Sequence, residues 1–134
     1  MGRVSITATV GKIFPQVEKE LRRRATSACV ILRNSQKKIF KGGRSGRNYG
    51  GHTASAPGEP PAIWHNRLNT SFRPIQYGGG SLNAGIETDV FYAGYLENGT
   101  PHGQMAERPF RERILNDATP QLTELYSRPF KISI

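Results

Sequence analysis

One apolar stripe dominates the chain. Phe14, Val17, Leu21, Ala25, Ala28, Leu32 and Ile39 follow one another at spacings of 3, 4, 4, 3, 4 and 7. Those intervals hold the side chains on a single helical face over roughly seven turns, with the Arg and Lys residues mostly off it. They predict one long amphipathic helix over residues 15–40, with Pro15 in its first turn, where a missing amide costs no hydrogen bond. A helix this basic does not stand alone in water, so it must lie on another apolar surface. At 134 residues the chain has room for one such core and no second domain.

The charge has a location. Residues 16–51 carry Lys19, Arg22, Arg23, Arg24, Arg33, Lys37, Lys38, Lys41, Arg44 and Arg47 against Glu18 and Glu20, which places +8 of the formal +9 in this segment. The rest of the chain is close to neutral. An excess of this kind suits an acidic partner, either nucleic acid or an acidic protein surface. No run of about 18 apolar residues is present, so no helix is expected to span a membrane. The start of the chain alternates rather than forming an apolar block, unlike a secretory signal. A single cysteine, Cys29, excludes an internal disulfide framework and fits a reducing cytoplasm.

Around the long helix the pattern is mixed. Val4, Ile6, Ala8 and Val10 alternate with polar residues, as in a strand. Residues 41–62 hold six of the 15 glycines and three of the nine prolines, with Tyr49 as the one large apolar side chain. A loop of that length is expected to be functional, or to order on a partner. Residues 63–68 fit a short helical turn. Residues 68–77 read as an irregular strand with Pro74 at an edge or bulge, and residues 82–90 return after a glycine turn, predicting a β-hairpin. The apolar segment 91–96 closes at Asn98-Gly99. Pro109 opens a second helix with Phe110, Ile114 and Leu115 on one face, and Pro120 is expected to end or kink it. Phe130, Ile132 and Ile134 alternate as an edge strand would. The fold class that follows is α+β, with both helices packed on a small antiparallel sheet beside a long Gly/Pro-rich loop.

Few residues suggest chemistry. Cys29 sits beside the apolar stripe with no base nearby, as a buried structural thiol does. His52, His65 and His102 are too widely spaced for a familiar metal motif, so no metal or cofactor is expected. The run Gly42-Gly43-Arg44-Ser45-Gly46-Arg47 follows a helix and lacks the spacing of a phosphate loop. Glu87 and Asp89 share one strand face, but no third group completes an acid–base site.

Two stretches are familiar as a pair. The first is Ala54-Ser55-Ala56-Pro57-Gly58-Glu59-Pro60-Pro61-Ala62, a few residues before Asn66-Arg67-Leu68-Asn69-Thr70-Ser71-Phe72. The second is Tyr92-Ala93-Gly94-Tyr95-Leu96-Glu97-Asn98-Gly99-Thr100, followed by Met105-Ala106-Glu107-Arg108-Pro109-Phe110. Together they resemble the tail-completion, neck or head–tail joining proteins of long-tailed bacteriophages with non-contractile tails, which are minor tail components. The match covers residues 54–115. Glu107, between Ala106 and Arg108, makes the usual Ala-Arg-Pro-Phe one residue longer.

The resemblance implies a structural virion protein without catalytic residues. Such a subunit assembles into a ring, six-fold in the usual case, between the head connector or head-completion protein and the tail tube or tail terminator. DNA passes through the lumen. A conduit works best when its wall does not grip phosphates, so most of the basic helix is expected to face outward or to meet an acidic neighbouring ring. Arg22, Arg23, Arg24, Lys37, Lys38, Arg44 and Arg47 are the expected assembly surface. Tyr92, Tyr95 and Leu96 are expected to pack their segment on the sheet. The alternative function is a small basic nucleic-acid-binding protein, although Phe40 and Tyr49 are the only aromatics in the basic segment and no recognition motif accompanies them.

Overall fold

The stripe is helical over more of the chain than its spacing predicts. In the computed structural model, which describes residues 7–63, 67–76, 84–103 and 105–133, α1 runs from Thr7 to Lys41. The strand expected over residues 4–10 is therefore corrected from Thr7 onward, and Val4 and Ile6 lie outside the described residues. Val10 also precedes Phe14 by four and Val17 by seven, so the same residues satisfied a helical period. Pro15 is inside α1 rather than at its start. Its missing amide removes only the bond to the Gly11 carbonyl, on a turn where Pro15 itself is exposed.

The buried face of α1 comprises Arg24, Ala25, Ala28, Cys29, Ser35, Gln36 and Phe40, with Leu21, Leu32 and Ile39 half-buried. Phe14, the first member of the stripe, is 68% exposed. The helix lies against α4 (Arg111–Ser127) and against the antiparallel hairpin of β3 (Arg73–Gln76) and β4 (Ala84–Glu87). In that hairpin Arg73 pairs with Glu87 and Ile75 with Gly85. The expected hairpin is present but shorter, because residues 67–71 form the helical turn α2 (Arg67–Ser71) instead of strand. Its glycine turn, Gly78-Gly79-Gly80, lies outside the described residues.

Two parts of the interior have different chemistry. Along the middle of α1 and on α4 the buried side chains are mostly small, Ala25 and Ala28 on α1 and Ala118 on α4, while Cys29 turns toward the β3–β4 hairpin. Small side chains let two helices approach closely. Toward the end of α1 the core becomes aromatic and aliphatic, with Phe40, Leu68, Phe72, Val90, Ala93, Phe110 and Ile114 in one cluster. Ile39, Ile63, Ile86, Tyr92 and Leu96 pack around it.

The glycine-rich segment is not structureless. β1 (Asn48–Tyr49) and β2 (His52–Thr53) pair as a second small hairpin, turned by Gly50 and Gly51 at φ of 54° and 91°. Positive φ at both central residues is what a tight two-residue hairpin turn demands. At its base the Gly46 amide donates to Ala54 O at 2.8 Å, and a Cβ on Gly46 would sit 2.5 Å from that oxygen. Only glycine permits that approach. The segment 91–96 also becomes helical, giving α3 (Ala93–Asn98).

Three C-terminal expectations are corrected. Pro120 does not end α4, which continues to Ser127, and the Asn116 carbonyl that it leaves without an amide donor belongs to an exposed turn that water can reach. Leu115 is 52% exposed rather than on the packed face with Phe110 and Ile114. Residues 129–133 form no strand. They lie along α1, where the Gln16 side chain donates to Ser133 O at 2.7 Å and accepts from Ser133 N at 2.8 Å. One side-chain amide thus supplies the two bonds that a neighbouring strand would have made. Ile134 lies outside the described residues.

Candidate functional site

The two familiar stretches meet in one corner of the molecule. Glu59 ties the first stretch down: its carboxylate accepts from Ala56 N at 2.6 Å, Ser45 N at 3.0 Å and Ser45 Oγ at 3.0 Å. Pro60 and Pro61 are buried, whereas Pro57 is exposed at the turn. Gly58, at φ 85°, donates its amide to Glu107 O and accepts at its own carbonyl from Arg113 at 2.7 Å. Arg108 then crosses to the first stretch, with Nε donating to Ser55 O and Ser55 Oγ at 3.3 and 3.0 Å. Glu107 thus contributes a main-chain acceptor to the corner.

Glu97 and Thr100 order the second stretch. Glu97 Oε2 accepts from Phe110 N at 2.8 Å and Arg111 N at 3.2 Å, so a carboxylate thirteen residues upstream caps the first turn of α4. The helix accordingly starts at Arg111, just after Pro109 and Phe110. Gly99, at φ 79°, closes α3 by donating to Tyr95 O, and Thr100 Oγ1 accepts from Met105 N at 2.7 Å. Tyr92 and Leu96 pack on the aromatic and aliphatic cluster rather than on the sheet itself. Tyr95 does not: it is 48% exposed and shares a shallow groove with Phe91, Gly94, Asn98 and Pro101. Phe91, 75% exposed, stands edge-on to Tyr92.

The basic segment divides by location. Arg24 is 3% exposed and turned into the molecule, and Arg44 is half-buried, donating to Ile39 O, Phe40 O and Pro61 O at the end of α1. Both are withdrawn from the expected assembly surface. A guanidinium at a helix C-terminus satisfies carbonyls that the helix cannot, which explains the inward position of Arg44. Arg22, Arg23, Lys37, Lys38 and Arg47 remain exposed. Arg22 pairs with Glu18, Arg23 with Glu20, and Lys38 with Asp117 of α4. Compared with known proteins, the chain matches no family model, no curated protein and no solved structure.

The residues weighed for chemistry occupy structural places. Cys29 is buried, its thiol directed at Ile75 O and Gly85 O at 3.5 and 3.4 Å. Glu87 and Asp89 both face Arg73, at 3.1 and 3.5 Å. His52 is on β2, His102 on the short 3₁₀ turn Pro101–Gly103, and His65 lies outside the described residues. Among the described residues no group of three His, Cys, Asp or Glu could hold a metal ion, and no helix is long and apolar enough to cross a membrane.

Sequence reasoning missed the polar pairing inside the structure. Gln36 is fully buried and donates to Asn69 Oδ1 at 2.9 Å, joining α1 to α2, while Arg33 reaches Asn69 O at 2.7 Å. The signal in the sequence is the step of seven between Leu32 and Ile39, because Ser35 and Gln36 occupy the missing rung on the same helical face.

The carboxylates make the fold acid-sensitive. Hydrogen bonds from Arg23 and then Arg24 hold the Glu20 carboxyl at about 2 instead of 4.5. Amide donors from Ala56 and Ser45 lower Glu59, and Lys38 lowers Asp117. A carboxyl depressed in the folded state stabilises the fold above its unfolded value and loses that contribution as pH falls toward its folded value. Stability should therefore be level at neutral pH and decline from pH 4.5 toward pH 2. Urea titrations at stepped pH test this: Glu20→Gln is expected to be less stable at neutrality and to show a shallower acid decline. An unchanged acid profile in that variant refutes the assignment.

Proposed function

We propose that this chain is a structural subunit of the bacteriophage head–tail junction, a tail-completion or neck protein that assembles as a ring and lets DNA pass through it. One observation carries the proposal: the two sequence stretches that resemble that family are interlocked through Arg108–Ser55, Gly58–Glu107 and the Glu97 cap. Their recognisable residues serve as ties and turns, as a family selected for subunit shape requires. Supporting it also are Phe91 and Tyr95, exposed beside Pro101 on that same corner, the kind of aromatic surface that subunit contacts use.

In this role the chain is non-enzymatic and needs no cofactor. Its partners are further copies of itself, six in the usual ring, with a head-completion or connector ring on one side and a tail-tube or tail-terminator ring on the other. The exposed Arg22 and Arg23 face such a neighbour. Native mass spectrometry of the purified protein, together with the protein content of purified particles, tests the proposal. A closed oligomer and its presence in particles are expected. A persistent monomer that is absent from particles sinks it. Arg22→Glu/Arg23→Glu should leave the subunit folded and the tails unjoined, and normal infectious particles from that variant overturn the placement of this surface.

A further inference from the structure

We infer that the β1–β2 hairpin and the end of α1 form a contact site for the phosphate backbone of DNA. Residues 21–58 contain nine Lys and Arg and no Asp or Glu. Two carboxylates beside this region are already engaged, Glu59 by Ser45 and Ala56, and Asp117 by Lys38. Among the described residues, the exposed Lys37, Lys41 and Arg47 have no carboxylate within ion-pair distance. Lys37 and Lys41 are one turn apart on α1, hence on one face. Lys41 lines a cleft with Gly42, Gly43, His52 and Thr53, so the helix end and the hairpin share one concave surface.

The hairpin is shaped to project. A Cβ at Gly43, Gly50 or Gly51 would meet nothing within 4 Å, whereas Gly46 at the base is pressed against Ala54 and Ser55. Near the tip the Arg47 guanidinium lies over the Tyr49 ring, 5.1 Å from its centroid. That contact orients the cation before any ligand arrives and lowers the entropy lost on binding. A narrow two-stranded ribbon also fits the major groove of a duplex.

DNA fits this surface better than an acidic protein does. Protein interfaces centre on a desolvated apolar patch, and residues 41–55 offer one large apolar side chain, Tyr49. Phosphate contacts need cations and small residues that allow close approach, which is what the segment supplies. Three cations give weak, salt-sensitive binding rather than a firm grip, so DNA could move past the site. The inference stands on this charge and geometry and does not depend on the ring.

Binding of the purified chain to a random-sequence DNA duplex across a salt series tests it. The expected slope of log K against log salt is roughly −2.5 to −3 per subunit, falling to about −1 in Lys41→Ala/Arg47→Ala. That variant should bind about tenfold more weakly or worse at low salt. Lys19→Ala/Lys131→Ala, which removes the same charge from other exposed positions, should bind like the parent. Circular dichroism checks that both variants fold. Absence of binding at low salt, equal losses in the two variants, or binding to polyglutamate in place of DNA each overturns the inference. A ring that binds no DNA sinks this site and keeps the assembly proposal; a monomer that binds with this dependence does the reverse.

Discussion

Phe40→Ala is expected to lower stability by about 3–5 kcal/mol, the largest loss from any single apolar truncation in this chain. Phe40, Phe72 and Phe110 meet in three mutual edge-to-face contacts, with centroids 5.7, 5.5 and 5.9 Å apart and planes crossed at 78° to 86°. The three rings come from the end of α1, the junction of α2 with β3, and the start of α4. Removing one ring leaves a cavity bounded by three separate elements, which cannot collapse together to fill it. Each edge-to-face pair adds roughly 0.5–1.5 kcal/mol beyond the area it buries. Phe110→Leu keeps most of the volume and should cost about 1–2 kcal/mol. Urea denaturation with an unchanged m-value measures both. A loss below about 1 kcal/mol for Phe40→Ala shows that the cluster does not join the elements in this way.

These rings also mark how far the sequence could be read. The sequence marks Phe110 as an apolar residue at the entry to the second helix, whereas Phe40 falls one residue beyond the stripe and reads as an aromatic of the basic segment. Nothing local places them against Phe72, because that contact depends on how α2 and β3 turn the chain. The α+β class follows from periodicity, which records burial directly. Alternation misled at the two ends for different reasons. At residues 7–10 the same apolar residues suited two periods. At residues 129–133 a strand pattern found the side chain of Gln16 instead of a strand. The hydrogen-bonded corner formed by residues 54–62 and 92–110 could not be read as geometry from the sequence. Glu97 reads as a surface carboxylate until Phe110 and Arg111 are seen to donate to it. The basic segment was visible as charge, yet composition cannot separate an Arg that faces water from one that faces carbonyls.

Arg24 is the sharpest case of that difference, and Arg24→Ala should cost about 2–4 kcal/mol. Its Nε donates to Glu20 at 3.0 Å, and its two terminal nitrogens donate to Tyr126 O and Pro129 O, each at 3.2 Å. The guanidinium lies 4.3 Å from the Phe130 ring centroid. One planar fork thus joins α1 to the last turn of α4 and to the segment beyond it, a geometry that a lysine cannot reproduce. Arg24→Lys should therefore recover only part of the loss. Truncation leaves two carbonyls without their donor, while Glu20, 24% exposed, still has Arg23 and water. Arg22 and Arg23 differ in kind: at 53% and 75% exposure their ion pairs are screened by water and add little to stability. Charge reversal at Arg24 places a carboxylate beside Glu20 and against main-chain oxygens, and should prevent folding. A triple reversal at Arg22, Arg23 and Arg24 would lose particles for that reason alone, so assembly is tested with Arg22 and Arg23 only. Arg24→Ala should also free residues 128–133, seen as faster amide exchange at Ser133 and earlier proteolysis there. Equal stability in Arg24→Ala and Arg22→Ala would falsify this role and return Arg24 to the surface set.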